Sequence, residues 1–309
     1  QSNELEIGKV GELTVLELTL VGNQTALDIA QWHKGLEGLD IVWTGARRVV
    51  VRALIDFNSL PRFTTVLPVL ESPMPAFQIK SKLGQLLVAK KNVAAPDPLI
   101  ERMIAAISAK TALSFLNYLT GITSRITTRN SIAPDGLVAA HYIESEFKKY
   151  GFEVELEDFR DGYNPNVIAT LKGSDEPDVI VVVGAHYDSR GRQSLSATDP
   201  APGANDDGSG TSMILQLAKV IHENDLSFKY TLVIGSWGGE EQGLVGSRAY
   251  AQKCKARGDN ILAMLQADMI AFRSPSENIQ CGFPDRYSDQ LLTDLAMETM
   301  GIYTPEVQT

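Results

Sequence analysis

Cysteine is almost missing from this sequence: Cys254 and Cys281 are the only two in 309 residues. A disulfide framework is thereby excluded, and the fold must rest on a hydrophobic core. The two thiols either form one bridge or stay free. Long apolar runs are also lacking; none approaches the roughly 18 to 20 residues of a membrane span. Nor is there an excess of basic charge. Lys and Arg total 28 against 38 Asp and Glu, a formal net charge of −10, which argues against a general nucleic-acid-binding face. Histidine is scarce: His33, His141, His186 and His222 complete the set, so the setting of each one is informative. The chain opens on Gln1 rather than Met, so it is read either as a piece cut from a longer chain or as a processed product that has already lost a leader. With the single sequon Asn23-Gln24-Thr25, this favours a secreted, extracytoplasmic location.

Hydrophobic residues make up 44% of the chain and charged residues 21%, so a large core is available. Residues 1–95 have a texture of their own. Strand-like runs at 12–21, 40–45 and 47–55 surround a helically spaced segment at 25–39, which predicts a small α+β unit. KNVAAPDPLI (91–100), with two prolines, is the expected linker. A helix is predicted from Leu99 to Gly121. A second, amphipathic helix starts at Pro134-Asp135 and stops at Gly151. Strands and helices then alternate: strands at 153–159, 166–173, 178–186 and 229–237 and within 260–272, helices at 208–224, 243–258 and 288–301. That alternation, with the apolar run DVIVVVGAH at its centre, predicts an α/β domain over 96–309. Its mostly parallel, mixed sheet is flanked by helices.

In open α/β sheets, ligands bind beyond the carboxyl ends of the strands. His186 follows the run VIVVVGA, Glu240-Glu241 follow TLVIGSWGG, and Asp268 follows AMLQA. Asp206 and Asp207 stand where a helix begins. Taken singly, such an Asp is usually a helix cap and such a Glu pair a solvated turn. Three strand ends in succession set a metal site beside that reading as an equal alternative. A His and carboxylate set without Cys suits zinc or a similar divalent ion. His186 then supplies a neutral nitrogen. Asp188 accepts the other ring N–H and fixes the tautomer. Asp206 has two oxygens to bridge two ions about 3.5–4 Å apart. One Glu of the pair binds metal while its neighbour serves as a base.

The segments HYDS (186–189), GANDDGSG (203–210), GGEEQGLVGS (238–247) and QADM (266–269) strongly resemble the co-catalytic zinc aminopeptidases of the bacterial leucyl aminopeptidase type. These belong to a wider zinc peptidase family that includes glutamate carboxypeptidase-like enzymes and glutaminyl cyclases. The resemblance spans about residues 100–309. It implies a phosphorylase/hydrolase-like fold, two zinc ions and peptide substrates cut at the N-terminal bond, with hydrophobic N-terminal residues preferred. It assigns His186 and Asp268 to one zinc, Glu241 to the other and Asp206 to both. Glu240 becomes the general base, Asp188 the orienter of His186, and Met269 a wall of the substrate pocket. It also implies a cis Asp206–Asp207 bond.

One expected feature has no counterpart. The resemblance implies a fifth ligand, a His on a loop well after the QADM strand, yet no His follows Asp268. A truncated chain, or a nicked one completed by a separate C-terminal fragment, is therefore expected ahead of a degenerate relative, because the base and the other ligands are intact, and the chain alone is expected to be poorly active. Residues 1–95 are read as a prosegment or an ancillary domain. Two alternatives stand beside the aminopeptidase: a one-zinc glutaminyl cyclase and a non-catalytic, peptidase-like binding module. The intact Asp206, Glu240 and Glu241 favour the two-metal hydrolase.

Overall fold

The computed structural model describes residues 96–284 and 288–308, and the backbone of four strands nearer the N-terminus. The chain divides into two compact units, Gln1–Gln78 and Ile79–Thr309. In the first, β1 (Thr14–Thr19), β2 (Leu39–Thr44), β3 (Arg48–Ala53) and β4 (Thr65–Pro68) form an antiparallel sheet in the order β2-β3-β1-β4. Residues 25–38 of the helix expected at 25–39, His33, the sequon and residues 91–95 of the expected linker lie outside the described residues, while Leu39 opens β2 instead of ending a helix.

In the second unit the elements are α1 (Pro98–Ala105), α2 (Ala109–Leu119), α3 (Pro134–Lys149), β5 (Glu153–Glu157), β6 (Asn166–Leu171), β7 (Glu176–His186), α4 (Gly208–Glu223), β8 (Tyr230–Trp237), α5 (Val245–Arg257), β9 (Asn260–Gln266) and α6 (Gln290–Tyr303). Where one helix was expected over 99–121, there are two. Ser108 ends the continuity: its hydroxyl accepts the Thr111 N–H at 3.3 Å and caps α2. A serine offering the backbone this local bond favours a new helix start over continuation. Pro98 opens α1 from the expected linker, with Asp97 as its cap. Helix α3 starts on Pro134 and is followed by Gly151 at φ +82°, the asymmetry that these two residues favour.

Strand order in the second sheet is β5-β6-β8-β7-β9. β5 pairs with β6, and β6 with β8, antiparallel; β8 and β9 flank β7 in parallel. The sheet is thus mixed, and its parallel half carries the candidate site. The period-two alternation of strands sorts its side chains. Val167, Ala169, Ala185 and Ile234 pack with Ile143 and Phe147 of α3 and Ile214, Leu215 and Ala218 of α4. Ile168, Val182, Val233 and Trp237 face the other way and pack with Tyr250 and Cys254 of α5. Burial on both faces is what made β7 read as one apolar run. Trp237 belongs to this core, its indole N–H donating to Gln266 Oε1 at 2.9 Å. Both cysteines are free thiols, Cys254 buried and Cys281 half-buried. No described helix is long and apolar enough to cross a membrane.

Candidate metal centre

The parallel register sets the positions of the acidic residues. His186 is the last residue of β7 and pairs with Trp237, the last of β8, while Gly184 pairs with Gln266, the last of β9. Whatever follows those three ends must converge. Glu240-Glu241 come after β8 and Asp268 after β9, and the turn into α4 brings Asp206 to the same edge. His186 Nε2 lies 3.0 Å from Asp206 Oδ1, 3.7 Å from Asp268 Oδ1 and 3.9 Å from Glu240 Oε2.

His186 is fully buried and fixed at four points. Its N–H donates to Asp207 Oδ2 at 3.3 Å and its carbonyl accepts the Thr211 hydroxyl at 2.8 Å. Its Nδ1 is 3.1 Å from the Asp188 carbonyl oxygen and 3.5 Å from Asp188 Oδ1. A ring nitrogen facing a carbonyl must carry the proton, so in the neutral ring the Nε2 lone pair faces the carboxylates. Nε2 is buried and, despite its closeness to Asp206, is not aligned with any hydrogen-bond partner among the described residues. Burial alone would disfavour imidazolium here, yet the Asp188, Asp206 and Asp268 carboxylates outweigh it and raise the His186 pKa well above the ordinary range. The ring sits where a positive charge is wanted. One donor atom each from His186, Asp206 and Asp268 falls within a 4.8 Å set, so these residues fit a divalent cation of the zinc type.

The tautomer-fixing role expected of the Asp188 side chain is shared with its main chain, because the carboxylate has other partners. Asp188 Oδ1 accepts the Glu240 N–H at 3.1 Å, and Oδ2 accepts the Glu241 N–H at 3.2 Å and the Ser131 hydroxyl at 2.9 Å. Ser131 Oγ in turn accepts the Gly239 N–H at 2.9 Å. Gly239 has φ +70°, a conformation that glycine adopts without strain. One buried carboxylate thus links the His186 segment to the Glu240-Glu241 turn.

The neighbouring aspartates have different tasks. Asp206, about half exposed, lies 3.0 Å from His186 Nε2, and the closeness of that ring holds its carboxyl below the usual range. Asp207 is buried and caps α4: its Oδ1 accepts the Gly210 N–H at 2.8 Å and the Met269 N–H at 3.2 Å. Burial pushes its pKa up to about 7, against the pull of His186. The bond between the two is cis, as the resemblance implied. Burial also raises Glu240, with Asp188, Asp268 and Asp206 adding to it and His186 opposing. Glu241 does not join the cluster. Its Oε2 is 2.7 Å from Arg190 Nε; burial and then Asp206 push its pKa up to about 7, against Arg190. Met269 is exposed, with φ +54°. His141 pairs with Glu144 on the surface of α3, and His222 lies against Tyr150, both apart from the centre.

Several residues that hold the centre have no signal in the sequence. Arg129 is fully buried and pairs with carbonyls: Tyr187 at 2.6 Å, Leu119 at 3.0 Å, Pro202 at 2.6 Å and Gly203 at 2.9 Å. It pins both ends of the 187–203 loop. Burial lowers its pKa to about 10, with Asp188, Asp207 and Asp206 opposing. Asn205 Oδ1 accepts the N–H groups of Ala271 and Phe272, at 3.0 and 2.8 Å, and Ser209 Oγ accepts that of Ile270 at 3.0 Å. The segment carrying Asp268 hangs from the turn before α4. Position within the GANDDGSG motif was the one available hint for Asn205 and Ser209; the stretch Thr128-Arg129-Asn130-Ser131 offered none.

Comparison with known proteins gives this geometry relatives. Residues 166–308 match the family model described as peptidase family M28. A probable zinc metalloprotease of Pyrenophora tritici-repentis is 33% identical over 192 residues, covering 57% of this chain and 39% of its own length. The chain therefore spans about two-fifths of that curated relative. Among solved structures, LapB from Legionella pneumophila aligns with TM-score 0.64 and 19% identity, over 96% of this chain and 81% of that one. The Legionella pneumophila LapA aminopeptidase aligns with TM-score 0.62 and 21% identity, over 96% and 80%. At these identities the structural likeness is one of fold. The family match starts at β6, later than the resemblance suggested, and takes in all four site motifs: over residues 166–308 this chain is similar to peptidase family M28.

Proposed function

We propose that this chain carries the catalytic centre of a zinc-dependent aminopeptidase that hydrolyses the N-terminal bond of peptides, with hydrophobic first residues preferred. The observation that carries the reading is His186 Nε2: buried, without a hydrogen-bond partner among the described residues, and facing three carboxylates. His186, Asp206 and Asp268 would hold one zinc ion. Asp206 and Glu241 would hold a second. Zinc supplies Lewis acidity toward the scissile carbonyl and the attacking water.

The chain's own residues do the rest. Glu240 is partly buried and its pKa is raised, which suits a carboxylate that takes a proton from water at Oε2 and hands it to the leaving amine nitrogen. Asp188 holds the Glu240 backbone at a fixed distance from His186. The surplus of carboxylates favours a substrate that brings positive charge, and a free peptide N-terminus does so; Glu240 and Asp268 are the nearest acceptors.

The test is hydrolysis of leucyl and N-acetyl-leucyl anilides by the full-length protein, with and without a zinc chelator. Leucyl anilide turnover that is abolished by the chelator and by Glu240→Gln, with no cleavage of the acetylated substrate, is the expected result. Equal cleavage of both substrates would rule out the aminopeptidase. Cyclisation of a glutaminyl peptide without anilide hydrolysis would replace it with the cyclase.

A further inference from the structure

The two cation positions are unlike in one respect. Around His186 Nε2 no basic side chain pairs with Asp206 or Asp268 among the described residues. At Glu241 one does. The Arg190 Nε–Glu241 Oε2 contact is 2.7 Å. Arg190 thus occupies Glu241, a carboxylate assigned above to the second ion alone. A guanidinium is a planar, always-charged fork suited to carboxylates, so it can stand in for a metal there.

The two partners differ in freedom. The Glu241 side chain is 10% exposed, that of Arg190 40%, and the Glu241 N–H is fixed on Asp188. The acid is anchored and the cation is at the surface. The loop bearing Arg190 is itself tied down: Ser194 O accepts from Asn130 Nδ2 at 2.9 Å and from Gln242 Nε2 at 2.7 Å. The Arg190 side chain can therefore leave by rotating, without the loop letting go of the Glu240-Glu241 turn.

We infer that Arg190 is a built-in competitor of the second metal ion: its guanidinium occupies Glu241, so the first ion binds readily at His186, Asp206 and Asp268 and the second only as Arg190 swings out. This rests on the two-ion reading of the centre. No bond is made or broken; one ion pair is exchanged for a metal–carboxylate contact.

The full chain, stripped with a chelator, is titrated with Zn2+ by calorimetry, beside Arg190→Ala, Arg190→Lys and His186→Ala. Wild type should bind in two steps of unequal affinity, or one step alone. Arg190→Ala should tighten the second step about three- to tenfold, or create it, because a partly exposed charge-assisted pair is removed. The first step should not change, and Arg190→Lys should lie closer to wild type. A second step left unchanged or weakened in Arg190→Ala would overturn the inference, as would a single ion in both proteins. Zn2+ binding that survives His186→Ala unchanged, or is absent in wild type, would instead overturn the reading of the centre, and the inference with it.

Discussion

The two parallel neighbours of β7 are built differently. In β8, Val233, Ile234 and Trp237 are at most 4% exposed; in β9, Met264 and Leu265 are 40% and 45% exposed. Both strands nonetheless deliver a carboxylate to the same point. β8 does so from within the core, and the Asp188 carboxylate catches the backbone of its turn. β9 is the edge strand, and its continuation is held by four N–H groups, from Met269 to Phe272, bonded to Asp207, Ser209 and Asn205. Burial fixes one arm of the centre and hydrogen bonds to an already fixed turn fix the other. The turn before α4 therefore carries more of the geometry than its short, polar sequence suggests.

That contrast can be broken. The largest effect is expected from Arg129→Ala, which removes the side chain that holds both ends of the 187–203 loop. It leaves four carbonyls without their donor in a buried site, which should cost about 3–5 kcal/mol, read as a large drop in the thermal midpoint. Next comes the strand pair itself. Ile234→Ala in β8 should cost about 2–5 kcal/mol, whereas Leu265→Ala in β9, already half in water, should cost under about 1 kcal/mol. Equal losses in urea unfolding would erase the distinction. Asp188→Asn should lower zinc affinity about 10- to 100-fold with a smaller loss of stability, seen by metal competition. The smallest change is Asn205→Ala. Two exposed bonds are lost, worth about 1 kcal/mol or less, and amide exchange should quicken at Ala271 and Phe272 while His186 stays protected.

Much of this was legible because it depends on strand ends. Apolar runs name the parallel strands, parallel strands end at one edge, and the residues at or just past those ends were His186, Glu240, Glu241 and Asp268. Other features follow from non-local contacts that no spacing encodes. Three of the four carbonyls that Arg129 serves are 58 to 74 positions away in the chain, and a lone Arg in a polar stretch reads the same whether solvated or buried. The break between α1 and α2 turned on one hydroxyl, Ser108, within a run of helical period. The role of Asp188 was half visible: its place beside His186 was clear, but its hold on Glu240 and Glu241 required the register of β7 against β8. Exposure of β9 was hidden because NILAMLQ is as apolar as a core strand; composition reports what a strand can bury, not what covers it.

The two cysteines fall one on each side of the same divide. Cys254 is 2% exposed against Trp237 and Tyr250 under α5, while Cys281 is half-buried beyond β9. Unbridged, they form a natural pair of clocks. A thiol reagent added to the native protein should label Cys281 at the pace of local breathing and Cys254 only when α5 lifts from the sheet. The ratio of those two rates measures, without any substitution, how independently the rim and the core of this molecule open.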